Sequence, residues 1–233
     1  MEWLDWGLIA FAALYVFTFL LGRQRNQYLG KVVVGTVSAG LRPNFPIETI
    51  PFTYCSASSE SRYQFKSVLS GHSTAGYAAI SAELKPRHEL LSLIINHWLY
   101  PTTDVSTLEI PLSGPPICFL IVRTDWITDM QKHFPDFVMS TQAGLKAAKW
   151  PGLREKYAVL GWKGSLQGKE QGLEELVLAA SPALDFVYVT DKDPVSGKWP
   201  LTLRMSLTVD ASRLHLLRNS ATLALTLVSK LGS

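Results

Sequence analysis

The hydrophobic pattern opens with an unbroken apolar run, WGLIAFAALYVFTFLLG, from Trp6 to Gly22, and no charged residue interrupts it. Together with Trp3 to Asp5 it comes close to the ~20 residues that a helix needs to cross a bilayer. A helix packed on a soluble core normally keeps a polar face, and this run has none. Glu2 and Asp5 make the front acidic, no lysine or arginine precedes the run, and no small-x-small site follows it. It therefore reads as a retained anchor, not a secretory signal peptide. Arg23, Arg25 and Lys31 come just after it and act as topology determinants, placing the C-terminal side in the cytosol. Trp3 and Trp6 then sit at the opposite interface.

Beyond the anchor, residues 23–41 mix polar and apolar positions, and the pattern predicts a helical stalk along the membrane surface that Arg42-Pro43 stops. Pro43 to Glu60, with three prolines and Ser56-Ala-Ser-Ser-Glu60, reads as a linker. Strands are expected at Arg62 to Leu69, Gly76 to Glu83 and Val105 to Leu112. Ile117 to Val122 (ICFLIV) is a continuous apolar run of the kind buried on both faces of a sheet. Leu90, Leu91, Ile94, Ile95 and Trp98 repeat at helical spacing within Arg87 to Leu99, between Pro86 and Pro101. A further helix is expected from Trp126 to His133, capped by Thr124 or Asp125. Later come a helix at Leu173 to Ala180, a strand at Leu184 to Thr190, a turn at Asp191 to Pro200, and an alternating strand at Leu201 to Val209. Leu214, Leu217, Ala221, Leu225 and Val228 give a final helix, Ala211 to Leu231, an apolar stripe suited to the core.

The fold class is thus a single N-terminal transmembrane helix plus an α/β domain, of α+β two-layer type and related to the ferredoxin-like plait, on the cytosolic side. The expected divisions are residues 1–22 for the lumenal end and anchor, 23–60 for stalk and linker, and 61–233 for the domain.

Composition narrows the function. A net charge of +3 over 233 residues, with no clustered basic face, gives no independent sign of nucleic-acid binding. Cys55 and Cys118 are far apart, which fits free thiols better than a disulfide framework or a zinc site. Ser70-Gly-His-Ser73 shares four letters with a motif of membrane phosphatidate phosphatases, where the histidine is an acid. The Lys/Arg-rich motif and further spans of those enzymes are missing, and Arg213 and His215 have the wrong spacing for their arginine–histidine pair. A Ser/Gly turn explains the segment. Gly161, Gly164, Gly168 and Gly172 lack the Gly-Lys-Ser/Thr ending of a phosphate loop, and Asp191 and Asp193 lack the glycine and glutamate of a calcium loop. The five histidines, His72, His88, His97, His133 and His215, show no paired-ligand spacing. No catalytic, cofactor-binding or metal-ligating set emerges, which shifts the expectation from enzyme to scaffold or binding module.

Several segments in shared order resemble the calumin family, coiled-coil-domain-containing endoplasmic reticulum proteins that are subunits of the PAT intramembrane chaperone complex. They are Gly22-Arg23-Gln-Arg-Asn26 after the anchor, Asn44-Phe45, Ser70-Gly71, Leu84 to Leu91 (LKPRHELL), Phe119 to Phe137 (FLIVRTDWITDMQKHFPDF), Trp150 to Leu160 with Pro151-Gly152-Leu153, and Leu173 to Lys192 ending FVYVTDK. The resemblance implies a non-enzymatic protein of the endoplasmic reticulum membrane, N-terminus lumenal. The implied partners are a small multispanning protein (Asterix-like), the Sec61 translocon and the ribosome. Its implied task is to help polar transmembrane segments persist until they pack.

Two departures from that family qualify the expectation. Only Met1 to Asp5 precede the anchor, where the family carries a long acidic segment credited with calcium binding, so calcium is not expected here. The chain also stops at Leu231-Gly-Ser233, before the family's charged coiled coil, as in a minimal or truncated homologue. A contact with ribosomal RNA would then fall to a basic edge of Lys146, Lys149, Arg154, Lys156 and Lys163. Two other readings remain. One is a tether that recruits a cytosolic partner; the other is a lipid-modifying enzyme relying on His72 and Ser73.

Overall fold

The protein is described by a computed structural model covering residues 3–41, 47–49, 53–54, 62–69, 75–85, 87, 103–113, 119–128, 145–147, 153, 156–162, 172–190 and 201–231. The apolar run at the front is the first half of one continuous helix, α1, Trp3–Leu41, of 39 residues. At 1.5 Å per residue it is about 58 Å long, close to twice the ~30 Å of a hydrocarbon core. It ends two residues before Pro43, consistent with the restriction a proline places on its predecessor.

The two halves of α1 have different surroundings. Leu8, Ile9, Phe11, Leu14, Val16, Phe17, Leu20 and Leu21 are exposed. From Gly22 onward a buried stripe appears, through Asn26, Leu29, Val33, Val34, Val37 and Leu41. The steps of three and four residues keep this stripe on one side of the helix. The segment expected to be a surface stalk is therefore part of the core, and the folded unit does not begin at residue 61. The charged and polar residues that suggest a stalk, among them Arg23, Arg25 and Lys31, occupy exposed positions beside the buried stripe.

The strands are β1 (Ile47–Thr49), β2 (Thr53–Tyr54), β3 (Arg62–Leu69), β4 (Tyr77–Glu83), β5 (Val105–Pro111), β6 (Phe119–Arg123), β7 (Leu145–Ala147), β8 (Tyr157–Trp162), β9 (Leu184–Thr190) and β10 (Thr202–Thr208). Among the described residues they form a ten-stranded sheet in the order β1-β3-β4-β5-β10-β9-β6-β8-β7, with β2 also on β3. Every pairing is antiparallel. This sheet is larger than a four-stranded plait, and β1 and β2 draw part of the expected linker into it.

One face of the sheet carries Ile80, Leu108, Ile110, Leu203, Met205, Val187, Val189, Phe119 and Ile121. These pack with the C-terminal half of α1 and with two further helices, α2 (Leu173–Ala180) and α3 (His215–Leu231). The result is two layers, helices on sheet, as the sequence predicts. β6 alternates between faces: Phe119 and Ile121 join this core, while Leu120 and Val122 join Phe186 and Tyr188 on the other side. Its continuous apolar run is buried on both faces, again as expected.

Some boundaries shift for local reasons. Residues 124–126 form a 3-10 turn, and of the expected Trp126 to His133 helix only Trp126, which belongs to that turn, Ile127 and Thr128 are described. α3 starts at His215 and not at Ala211, because Asp210 holds the preceding turn: its carboxylate accepts from the Ser212 amide at 2.9 Å and hydroxyl at 2.6 Å. Gly172 takes φ +79 at the start of α2, the left-handed region that favours glycine. The expected helix at Arg87 to Leu99 beyond Arg87 itself, the turn at Asp191 to Pro200, and Ser70 to Ser73 lie outside the described residues.

α1 and α3 approach closely at Gly40, where an added Cβ would lie 2.7 Å from Ala221 Cβ and 2.8 Å from the Arg218 carbonyl oxygen. Both distances are below van der Waals contact, and one neighbour is backbone, so the helices would have to separate. Gly40→Val is expected to lower unfolding stability by roughly 1–3 kcal/mol. Gly35→Ala, with nothing within 4 Å, is expected to be neutral or to add up to about 1 kcal/mol. Thermal unfolding of the detergent-solubilised protein compares the two.

Candidate functional site at the membrane exit of the first helix

The exposed half of α1 can be lipid-facing because its backbone bonds close within the helix. Its one hydroxyl of Ser/Thr type, Thr18, is satisfied the same way, donating to the carbonyls of Leu14 at 3.0 Å and Tyr15 at 2.9 Å. α1 is the one candidate membrane span among the described residues, and only 6% of its apolar window is buried inside the protein. Past the exposed apolar half, the buried stripe that starts at Gly22 joins the domain.

At this junction Asn26, fully buried, holds the helix to the sheet. Its Nδ2 donates to the Lys85 carbonyl at 2.9 Å, and its Oδ1 accepts from Arg87 Nη1 at 3.0 Å. Arg87 is in turn held by Asp104, just before β5, with Nη1 at 3.1 Å from Oδ1 and Nη2 bonded to Oδ2. The Lys85 amide also donates to Asp104 Oδ1 at 2.7 Å, and the Asp104 carbonyl accepts from the Val209 amide at 2.8 Å. Asp104 thus ties the ends of β4 and β5 to α1 through its carboxylate and Arg87, and the end of β10 through its backbone carbonyl. A bidentate Arg–carboxylate pair is geometrically specific, and here it is largely shielded, with side-chain exposures of 16% and 9%. Asn26 is the last residue of the Gly22-Arg23-Gln-Arg-Asn26 segment, but its partners lie far along the chain and no local pattern indicates them.

A second polar cluster lies beside β9. Asp185 is fully buried and sits at the irregularity where β10 pairs with β9. It accepts from Thr208 Oγ1 at 2.9 Å and pairs with Arg123 at 3.2 Å. Arg123 also bonds Asp125 at 2.6 Å and lies 5.9 Å from the centre of the Trp126 ring. Burial pushes the Asp185 carboxyl up to about 6, against the opposing effects of the Thr208 bond, the Arg123 charge and Ser206. A shallow cleft of about 470 Å³ over this cluster is lined by Arg123, Thr124, Asp125, Lys156, Tyr157, Leu178, Ser181 and Pro182. Arg123 pairs with both Asp125 and Asp185, which gives this cluster the character of a structural corner. Among the described residues no group of three or more His, Cys, Asp or Glu side chains is placed to hold a metal.

Of the residues singled out in the sequence, Arg23, Arg25 and Lys31 lie exposed on α1 just past the apolar half. In the basic edge, Lys146 belongs to β7, opposite Gly161 of β8, and Lys156 is exposed before β8. Lys149, Arg154 and Lys163 lie outside the described residues, as do His72 and Ser73.

Asp104→Ala leaves Arg87 and the Lys85 amide without their shared acceptor and is expected to destabilise the domain by on the order of 3 kcal/mol. In vesicles it should also speed proteolytic cleavage within residues 22–41, read by limited proteolysis. For Asp185, the raised folded value means that the native state binds the proton more tightly than the unfolded chain. Its contribution to stability is therefore full below about pH 4 and lost as pH rises through about 6. Urea unfolding midpoints between pH 4 and pH 7 should show this component, and Asp185→Asn should remove it.

A family model described as PAT complex subunit CCDC47 matches residues 3–232 of the chain. No individual curated protein matches it.

Proposed function

The chain belongs to the PAT complex subunit CCDC47 family, and on that premise we propose that it is a non-enzymatic endoplasmic reticulum membrane protein acting within a ribosome- and translocon-associated intramembrane chaperone. In this reading its N-terminus is lumenal and its domain cytosolic, in line with Arg23, Arg25 and Lys31 following the apolar half. The observation that carries the proposal is the continuity of α1. A helix that is apolar on all sides for one half and buried in a sheet domain for the other joins a membrane-embedded event to a body outside the bilayer.

The partners are a small multispanning protein of Asterix type, the Sec61 translocon and the ribosome. The task is to shelter transmembrane segments whose polar groups are costly in lipid until they find partners. Lys146, Lys149, Arg154, Lys156 and Lys163 supply the ribosome-facing edge in this scheme, through backbone phosphates of ribosomal RNA.

Mild-detergent purification of the tagged protein from endoplasmic reticulum membranes, followed by proteomics, tests the proposal. Sec61 subunits, ribosomal proteins and a small multispanning partner are expected together. Their absence, with the anchor still resisting carbonate extraction, would overturn the chaperone reading in favour of a bare membrane tether.

A further inference from the structure

The side of α1 turned away from the domain carries an ordered set of side chains just past the apolar half. Gln24, Arg25, Tyr28 and Lys31 are exposed, with Tyr28 at 68%, while Gly22, Asn26, Leu29 and Val33 are buried on the opposite side. Arg25 and Lys31 lie three residues to either side of Tyr28, one turn below and one above it on the same helix face. At the other end of α1, Trp3 and Trp6 are exposed at 80% and 62%.

The helix rises about 33 Å from Trp6 to Tyr28. That exceeds a hydrocarbon core of ~30 Å and falls within the ~40–45 Å of a bilayer with its headgroups. Amphipathic aromatic rings favour both membrane interfaces, and basic side chains extend from them toward lipid phosphates. The two sides of α1 therefore leave the bilayer at different heights. On the domain side protein packing begins at Gly22, while on the outer side interfacial chemistry continues to Lys31.

We propose that Arg25, Tyr28 and Lys31 form a binding face for the headgroups of anionic phospholipids, and that with Trp3 and Trp6 it sets the depth and tilt of α1. Because Asn26 and Asp104 couple α1 to the sheet, that tilt sets how the domain lies on the bilayer. The cationic groups match the negative charge of the headgroups, and the ring matches their boundary with the acyl chains. The inference goes beyond the chaperone reading and needs none of its partners.

The test uses the full chain with Cys55→Ser and Cys118→Ser, carrying a nitroxide at Tyr28→Cys or, to keep the ring, at Gln24→Cys. It is reconstituted into phosphatidylcholine vesicles with and without phosphatidylserine. The ratio of collisions with oxygen to collisions with a water-soluble nickel chelate reports depth. Both labels are expected to give a ratio several-fold above that of a label at Leu178→Cys on α2. Phosphatidylserine should raise it further, and Arg25→Gln with Lys31→Gln should abolish that rise. Ratios equal to that at Leu178, or a phosphatidylserine effect untouched by the double substitution, would overturn the proposal. So would loss of ribosomal RNA binding in the double variant with unchanged depth, which would assign the face to nucleic acid.

Discussion

Backbone amides and carbonyls in lipid have no water to bond, so a chain leaving a bilayer must stay helical until its polar groups find other partners. In α1 the helix does not stop there; it runs on from the apolar half into the core without a break. Most features of the fold follow from this. The second half of the helix must bury a stripe, so it needs a layer beneath it, and β3, β4 and α3 supply one. The stripe also requires close approach, which Gly40 permits against Ala221 and the Arg218 backbone.

A helix held only by apolar packing could slide or rotate along its own axis. The Asn26, Lys85, Arg87 and Asp104 bonds are directional and fix both its rotation and its height relative to the sheet. Buried polar groups of this kind favour one arrangement over its neighbours, since any shift leaves a buried donor or acceptor unpaired. The Asp185 and Arg123 cluster plays a comparable part at another corner, where β9, β10 and the turn after β6 meet. In the proposed function such rigidity lets a body outside the bilayer set the position of a helix within it.

Much of this was legible from periodicity. The alternating Thr202–Thr208 strand, the doubly buried Phe119–Arg123 strand, and the helices at Leu173–Ala180 and His215–Leu231 appear close to where their patterns place them. What escaped had physical reasons. Leu29, Val33, Val34, Val37 and Leu41 do repeat at helical spacing, but Arg23, Arg25 and Lys31 among them match the composition of an interfacial stalk equally well. β1 and β2 are short strands in a proline-rich stretch and depend on β3 for their pairing, so nothing local marks them. The order of the sheet and the Asn26 to Asp104 network rest on contacts between residues far apart in sequence, which periodicity does not encode. Site chemistry was least legible, because the groups that matter hold the fold and carry no motif.

Hydrogen–deuterium exchange of the full chain in lipid nanodiscs tests whether α1 is one unbroken element from bilayer to core. Slow exchange is expected to continue across residues 22–41, at a level comparable to the sheet strands β5 and β10. Rapid exchange through that stretch, with protection confined to the apolar half, would instead show a flexible stalk between membrane and domain.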